Sequence, residues 1–361
     1  MRYSGWILAF AIGIVLTNRA SSTAGEPISL LEVRIGNERL EGRIAAHNDQ
    51  TCWLLRRDGR LASFKTDDVV DFREKEPRFR PLSSLDVRDQ LQTEFGRGFE
   101  VKTTSHYVVV AVRGTGDRYA ALFEQIYRQF HVYFTSRGFR ITEPEFPMVA
   151  VVLPDQQAFV DYCLADGARP QPGLVGYYLP SSNRVALYDR ATAGQSTVAA
   201  VDGTVIHEGT HQVAFNTGVH SRIGQSPLWL VEGLATLFEA EGIRKREIGA
   251  EVRDRINPER LEWFQEFRRR RTSKSLESFI REDGSFKKSA FDAYSQAWAL
   301  TFYLAETRSV EFAKYLKAIS NRNPLDEYAG DDRVKDFRQA FGRDLEFLET
   351  GMLRFYDKLA E

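Results

Sequence analysis

The sequence predicts an α+β protein in two parts: a small all-β module resembling an SH3-like barrel, then a larger domain with a small mixed sheet and a mostly helical C-terminal half. Three observations carry this expectation. Between Glu26 and Phe72, short apolar runs alternate with polar residues around turn signals such as Gly36-Asn37 and Arg57-Asp58-Gly59-Arg60. From Tyr107 to Asp189, buried-looking strand runs are interleaved with amphipathic helices, and beyond Thr197 the apolar period is almost everywhere helical. At 361 residues the chain exceeds one ordinary small core, so two domains are expected. A net charge of −1 gives no sign of wholesale nucleic-acid binding, and no nucleic-acid partner is expected.

Residues 1–24 read as an export signal. Arg2 supplies a positive start, Trp6 to Leu16 an apolar run of 11 residues, and Ser22-Thr23-Ala24 the small residues of a cleavage site after Ala24. Eleven apolar residues are too few to span a bilayer comfortably, so no stable membrane insertion is expected after cleavage; an uncleaved anchor is the alternative. The expected location is therefore exported: periplasmic, cell-envelope or secreted. Cys52 and Cys163 match no metal-binding spacing. Pairing across the domains and two separate buried thiols both stay open.

Residues 25–73 form the β module. Leu31, Val33 and Ile35 alternate with polar residues, Leu40 to Ala46 is a second run, Thr51 to Leu55 and Leu61 to Phe64 flank a hairpin turn, and Val69 and Val70 close the set. The module is expected either to pack on the larger domain or to bind an unknown partner. Residues 74–84, charged and with Pro77 and Pro81, read as a linker.

The larger domain spans 85–361. A short helix is expected over Leu85 to Phe95, then strands at Val101 to Thr104 and Tyr107 to Val112. Tyr119, Phe123, Ile126, Tyr127, Phe130 and Phe134 put a strong apolar face on a helix over Asp117 to Ser136. Pro147 to Leu153 is a buried strand, and Asp155 caps a helix running to Leu164. Gly176 to Leu179 and Arg184 to Asp189 form a hairpin. A helix over Thr197 to Asn216 follows, then one opened by Ser226 as cap and Pro227 as first residue. Further helices are expected at Pro258 to Arg270, Ser275 to Glu282, Ala290 to Thr307, Val310 to Ile319, Asp332 to Phe341 and Asp344 to Leu359. Arg268 to Arg271, the one basic run, reads as a solvated helix end.

The chemistry concentrates in His207-Glu208-Gly209-Thr210-His211 and, after 20 intervening residues, Glu232. His207 and His211 project from one face of a helix, one turn apart, and can share a zinc ion. Glu208 lies about 100° further round, placed to act on a water rather than to ligate. Catalytic zinc keeps three protein ligands and one open position, and Glu232, set among apolar neighbours, is the best third ligand. Two core histidines and a capping glutamate, with no metal, are the alternative reading of the same residues.

These residues resemble the gluzincins, zinc peptidases with H-E-x-x-H on one helix and a Glu ligand on the next. More narrowly, H-E-G-T-H-Q, then P-L-W-L-V-E-G-L-A and Y-S-Q-A-W-A-L, are similar to exported peptidase-like proteins of that clan without an assigned substrate. The resemblance covers roughly Leu85 to the C-terminus. It implies a zincin-like metallopeptidase domain holding one Zn2+ on His207, His211 and Glu232, and a peptide or protein substrate pairing along the strand before the zinc helix. Glu208 is expected to act as general base toward a zinc-activated water. Tyr294, 62 residues past Glu232, falls where aminopeptidase members carry a Tyr that steadies the oxyanion. His220 is a weaker candidate for that role. The motif by which aminopeptidases grip a free amine is absent, so that specificity is not expected. Thr236 and Glu239 follow Glu232 by one and two turns and could orient the imidazoles. The competing expectations are an inactive, zinc-stabilised binding protein and a metal-dependent hydrolase of a non-peptide bond.

Overall fold

The computed structural model describes residues 28–190, 197–245, 247–272 and 275–360. The expected export signal lies outside the described residues. Among them, no helix is long and apolar enough to cross a membrane.

The N-terminal part is an antiparallel sheet of β1 (Leu30–Ile35), β2 (Glu38–His47), β3 (Thr51–Arg56), β4 (Leu61–Lys65) and β5 (Val69–Glu76), in the order β4-β3-β2-β1-β5. The β2–β3 register shifts between Ile44 and Ala46, the kind of irregularity that bends a strand. Adjacent residues of β3 point to opposite faces. Leu54 thus joins Val33, Leu40 and Val69 in the module's own core, while Leu55 joins Leu30, Phe79 and Phe146 in a second cluster. Phe146 belongs to the larger domain, so this second cluster seals the two parts together.

The segment expected as a linker is not free. β5 continues to Glu76, the buried Phe79 donates its backbone N–H to Ile28 at 2.6 Å, and Leu82 donates to the Arg57 carbonyl at 2.8 Å. The one aromatic of this stretch, Phe79, packs into an apolar cluster with Leu30, Leu55 and Phe146, which offsets the solubilising effect of its charges.

The second sheet comprises β6 (Phe99–Thr103), β7 (Tyr107–Val112), β8 (Met148–Leu153), β9 (Gly176–Leu179) and β10 (Arg184–Tyr188), ordered β6-β7-β8-β10-β9. β7–β8 and β8–β10 are parallel and the two outer pairs antiparallel, the mixed sheet expected. Helices α1 (Ser84–Phe95), α2 (Gly116–Thr135), α3 (Gln156–Asp166) and α4 (Val198–Asn216) flank it. β7 is apolar throughout because both its faces are covered. Val108 and Val110 meet Val87 of α1 and Phe159 of α3, whereas Tyr107 and Val109 share the large core with Phe123 of α2 and Val205 of α4.

After α4 the chain is helical: α5 (Leu228–Glu239), α6 (Glu241–Arg244), α7 (Pro258–Arg268), α8 (Ser275–Arg281), α9 (Gly284–Lys288), α10 (Ala290–Thr307), α11 (Ser309–Ser320), α12 (Gly330–Phe341) and α13 (Leu345–Ala360). The single-turn α6 and α9 are too short for a periodic signal and were not expected. The α5 cap differs too. Pro227 holds the cap position and the Ser226 hydroxyl is buried without a partner. Asp283 instead accepts the Leu228 N–H at 3.0 Å, a cap supplied from 55 residues away. The basic run is not simply solvated: Arg268, Arg270 and Arg271 pair with Asp357, Asp292 and Glu349.

A second seam ties the β module to the domain. Leu61 donates its N–H to the Ser181 carbonyl at 2.7 Å. Arg222, between α4 and α5, donates to the Gly59 carbonyl at 2.7 Å and twice to the Pro180 carbonyl. The β3–β4 turn, the β9–β10 turn and the α4–α5 connection are thereby held by one guanidinium. Cys52 and Cys163 are separate buried thiols, and burial pushes the Cys52 thiol up to about 11.

Candidate metal centre

Two glycines and a glutamine set α4 and α5 in place. Gly209 faces Phe123 and Ile126 of α2, where a Cβ would lie 3.0 Å from Ile126. Gly233, next to Glu232, is tighter: a Cβ would lie 2.6 Å from the Ala297 carbonyl oxygen and collide with the Thr301 hydroxyl. Only glycine lets α10 approach α5 so closely. The fully buried Gln212, next to His211, donates to the carbonyls of Val149 at 3.0 Å and Asn183 at 2.7 Å. That locks the rotation of α4 against β8 and the β9–β10 turn.

The result is a compact group of three donors. His207 Nε2 and His211 Nε2 are 3.2 Å apart, and Glu232 Oε2 lies 3.3 Å from the first and 3.5 Å from the second. Bonds of about 2.0–2.1 Å to a tetrahedral ion require donor atoms about 3.3 Å apart. Glu232 Oε2 is buried and makes no hydrogen bond, although both imidazoles are near. An orphaned buried carboxylate oxygen is costly, and a cation among these three atoms would satisfy it. His207, His211 and Glu232 can thus hold a metal ion. Their side chains keep 15, 10 and 15 % exposure, so solvent reaches the group.

The far side of His207 is fully committed. Its Nδ1 lies 2.9 Å from Glu239 Oε1. Glu239 also accepts from Asn257 at 2.8 Å and from Arg260 at 3.1 and 3.2 Å. Asn257 is fixed in turn as the cap of α7, accepting the Arg260 N–H at 3.2 Å. Burial opposes the protonated imidazole, but Glu232 and Glu239 outweigh it and raise the His207 pKa well above its ordinary value. Burial likewise opposes ionisation of Glu232, and the two histidines reverse that and hold its pKa low.

The charge of Glu208 bears on both His207 and Tyr294. Tyr294 stands on α10 with its ring 6.2 Å from the His207 ring. Burial, then the charges of Glu232 and Glu208, push its phenol upward, so it stays protonated and able to donate. His220 lies in the connection after α4, yet it is not open to solvent. It is 2 % exposed, packs its ring 5.1 Å from Phe215, and leaves both ring nitrogens buried and unpartnered.

Of the two residues named as candidate orienters, Glu239 serves and Thr236 does not. The Thr236 hydroxyl donates to the Glu232 carbonyl at 2.7 Å, within its own helix. Asn257 and Arg260 were missed. The sequence signal for them was an Asn-Pro helix start 18 residues past Glu239, legible as a cap but not as a partner of Glu239.

A family model described as a protein of unknown function, DUF1570, matches residues 201–326. That span contains all three donors, Glu208, Glu239, Arg260 and Tyr294. No curated protein matches the chain.

Proposed function

We propose that this protein is an exported, zinc-dependent peptidase of the gluzincin type, with a zincin-like catalytic domain and an SH3-like N-terminal module. The observation that carries the reading is the donor triangle with one orphaned carboxylate oxygen, flanked by a carboxylate that is not part of it. Two imidazoles and one carboxylate are a donor set suited to zinc, and three protein donors leave a position open, as hydrolytic sites do. A structural site would have little use for Glu208 at its edge.

When bound, zinc would supply Lewis acidity, lowering the pKa of a water and polarising a peptide carbonyl. His207, His211 and Glu232 would hold the ion, with Glu239 fixing the tautomer and tilt of His207. Glu208 takes a proton from the attacking water and returns it to the leaving amine. Tyr294 donates its phenolic hydrogen to the oxygen on which charge develops. β9, at the edge of its sheet, offers backbone groups to an extended substrate.

Metal analysis of the purified protein and of Glu208→Gln, with digestion of a broad peptide library, tests this. Zinc near one equivalent in both, with cleavage in the wild type and a loss of about a hundredfold or more in the variant, supports it. A zinc-loaded wild type that cuts nothing would leave an inactive, zinc-stabilised binding protein as the better reading.

A further inference from the structure

α7 and α10 run antiparallel and meet in successive rungs. On the inner rung Arg260 of α7 lies over the Tyr294 ring, 5.8 Å from its centroid. Three residues further out on each helix, Trp263 meets Phe291, with ring centroids 4.7 Å apart and planes within 16° of parallel. Three residues are about 4.5 Å of helix. The aromatic pair therefore stands one turn beyond the two side chains that border the donor triangle. Arg260 holds Glu239 and Tyr294 lies against His207. Yet the pair itself is outside the core: Trp263 is 38 % and Phe291 57 % exposed.

Single exposed apolar residues need no explanation, but two stacked aromatics continuous with a candidate catalytic group do. Asp292, next in sequence to Phe291, is neutralised by Arg270 at 2.9 Å. What the rung offers is a flat apolar surface made by two stacked, exposed rings. An extended peptide advances about 3.3 Å per residue, so a side chain one to three residues from the scissile bond reaches that distance.

We infer that Trp263 and Phe291 form a specificity subsite for a large apolar, preferably aromatic, side chain of the peptide substrate. The inference rests on the peptidase reading for its substrate class, and its test separates the two. Blocked alanine octapeptides carrying one phenylalanine or one serine at each position in turn are titrated by calorimetry into zinc-loaded Glu208→Gln protein. The same peptides are then incubated with the wild type and read by mass spectrometry.

The expected result is one position at which phenylalanine binds at least about tenfold tighter than serine, the factor that burying much of one aromatic ring brings. That ratio falls close to one when Trp263→Ala and Phe291→Ala are added, and Trp263→Phe alone keeps most of it. Both rings are exposed, so zinc content and melting temperature report whether the combined variant is folded. No position preferring phenylalanine, or a preference that survives loss of both rings, overturns the inference. So does a soluble chitin oligosaccharide that binds through the pair while the peptides do not. A preference that depends on the pair, with no cleavage by the wild type, sustains the subsite and removes the peptidase. Cleavage without preference does the reverse.

Discussion

Helix α5 carries two carboxylates seven residues apart, Glu232 and Glu239, and they face opposite treatment. Both approach the same imidazole, one at Nε2 and one at Nδ1. Glu239 is saturated by His207, Asn257 and Arg260. Glu232 has two imidazoles at 3.3 and 3.5 Å and a buried oxygen with no hydrogen bond. A saturated carboxylate holds geometry, whereas an incomplete one can take a ligand. The difference separates the part of the site that is finished by folding from the part left open to binding.

The largest expected effect tests the incomplete side. Glu232→Gln should remove bound metal and, with it, hydrolysis by three orders of magnitude or about that. The melting temperature of the metal-free protein should change little. Retention of a full equivalent of zinc in that variant would break the comparison outright. On the same side, Tyr294→Phe should keep the metal and lower kcat by about a hundredfold with KM little altered. A change in KM alone would make Tyr294 a packing residue.

The finished side should respond differently. Glu239→Ala leaves Arg260, Asn257 and His207 Nδ1 without their acceptor. It should cost about 3–5 kcal/mol in urea unfolding with or without metal. Zinc affinity should fall about 10–100-fold rather than vanish. Equal losses of affinity in Glu232→Gln and Glu239→Ala would erase the distinction between them.

The smallest effect concerns His220, which has neither kind of partner. Burial, then the charge of His211, lowers its pKa to about 3. The folded value lies below the unfolded value near 6.5. Stability from the neutral ring is therefore present above about pH 6.5 and lost as pH falls through the window toward 3. Urea unfolding at pH 6 and pH 5 should differ by about 1.2 kcal/mol from this group, and His220→Phe should remove that part of the slope.

The unequal legibility of these residues has a physical cause. His207, His211 and Glu208 are readable because one helical turn sets their spacing, and Glu232 because an acid in an apolar helix needs a partner. The unbroken apolar run of β7 and the aromatic face of α2 were equally plain, since local pattern writes them directly. The cap of α5 was misread because Asp283, from a distant loop, replaces Ser226. Arg260 and Asn257 escaped for the same reason: their roles arise only when α7 packs beside α5. The burial of His220 escaped because it leaves no trace in a Gly-rich connection. The stretch over 74–84 looked like a free tether because its charges hide Phe79, whose docking site is built by Leu55 and Phe146.

The Arg222 guanidinium reaches across three segments that lie far apart in the chain. A shortened chain beginning at residue 84 would leave that cation facing a vacant seat where Gly59 stood and would bare the apolar flank of Phe146. The leading module is thus part of the wall of the larger domain, and the two would be inherited, expressed and unfolded as one body.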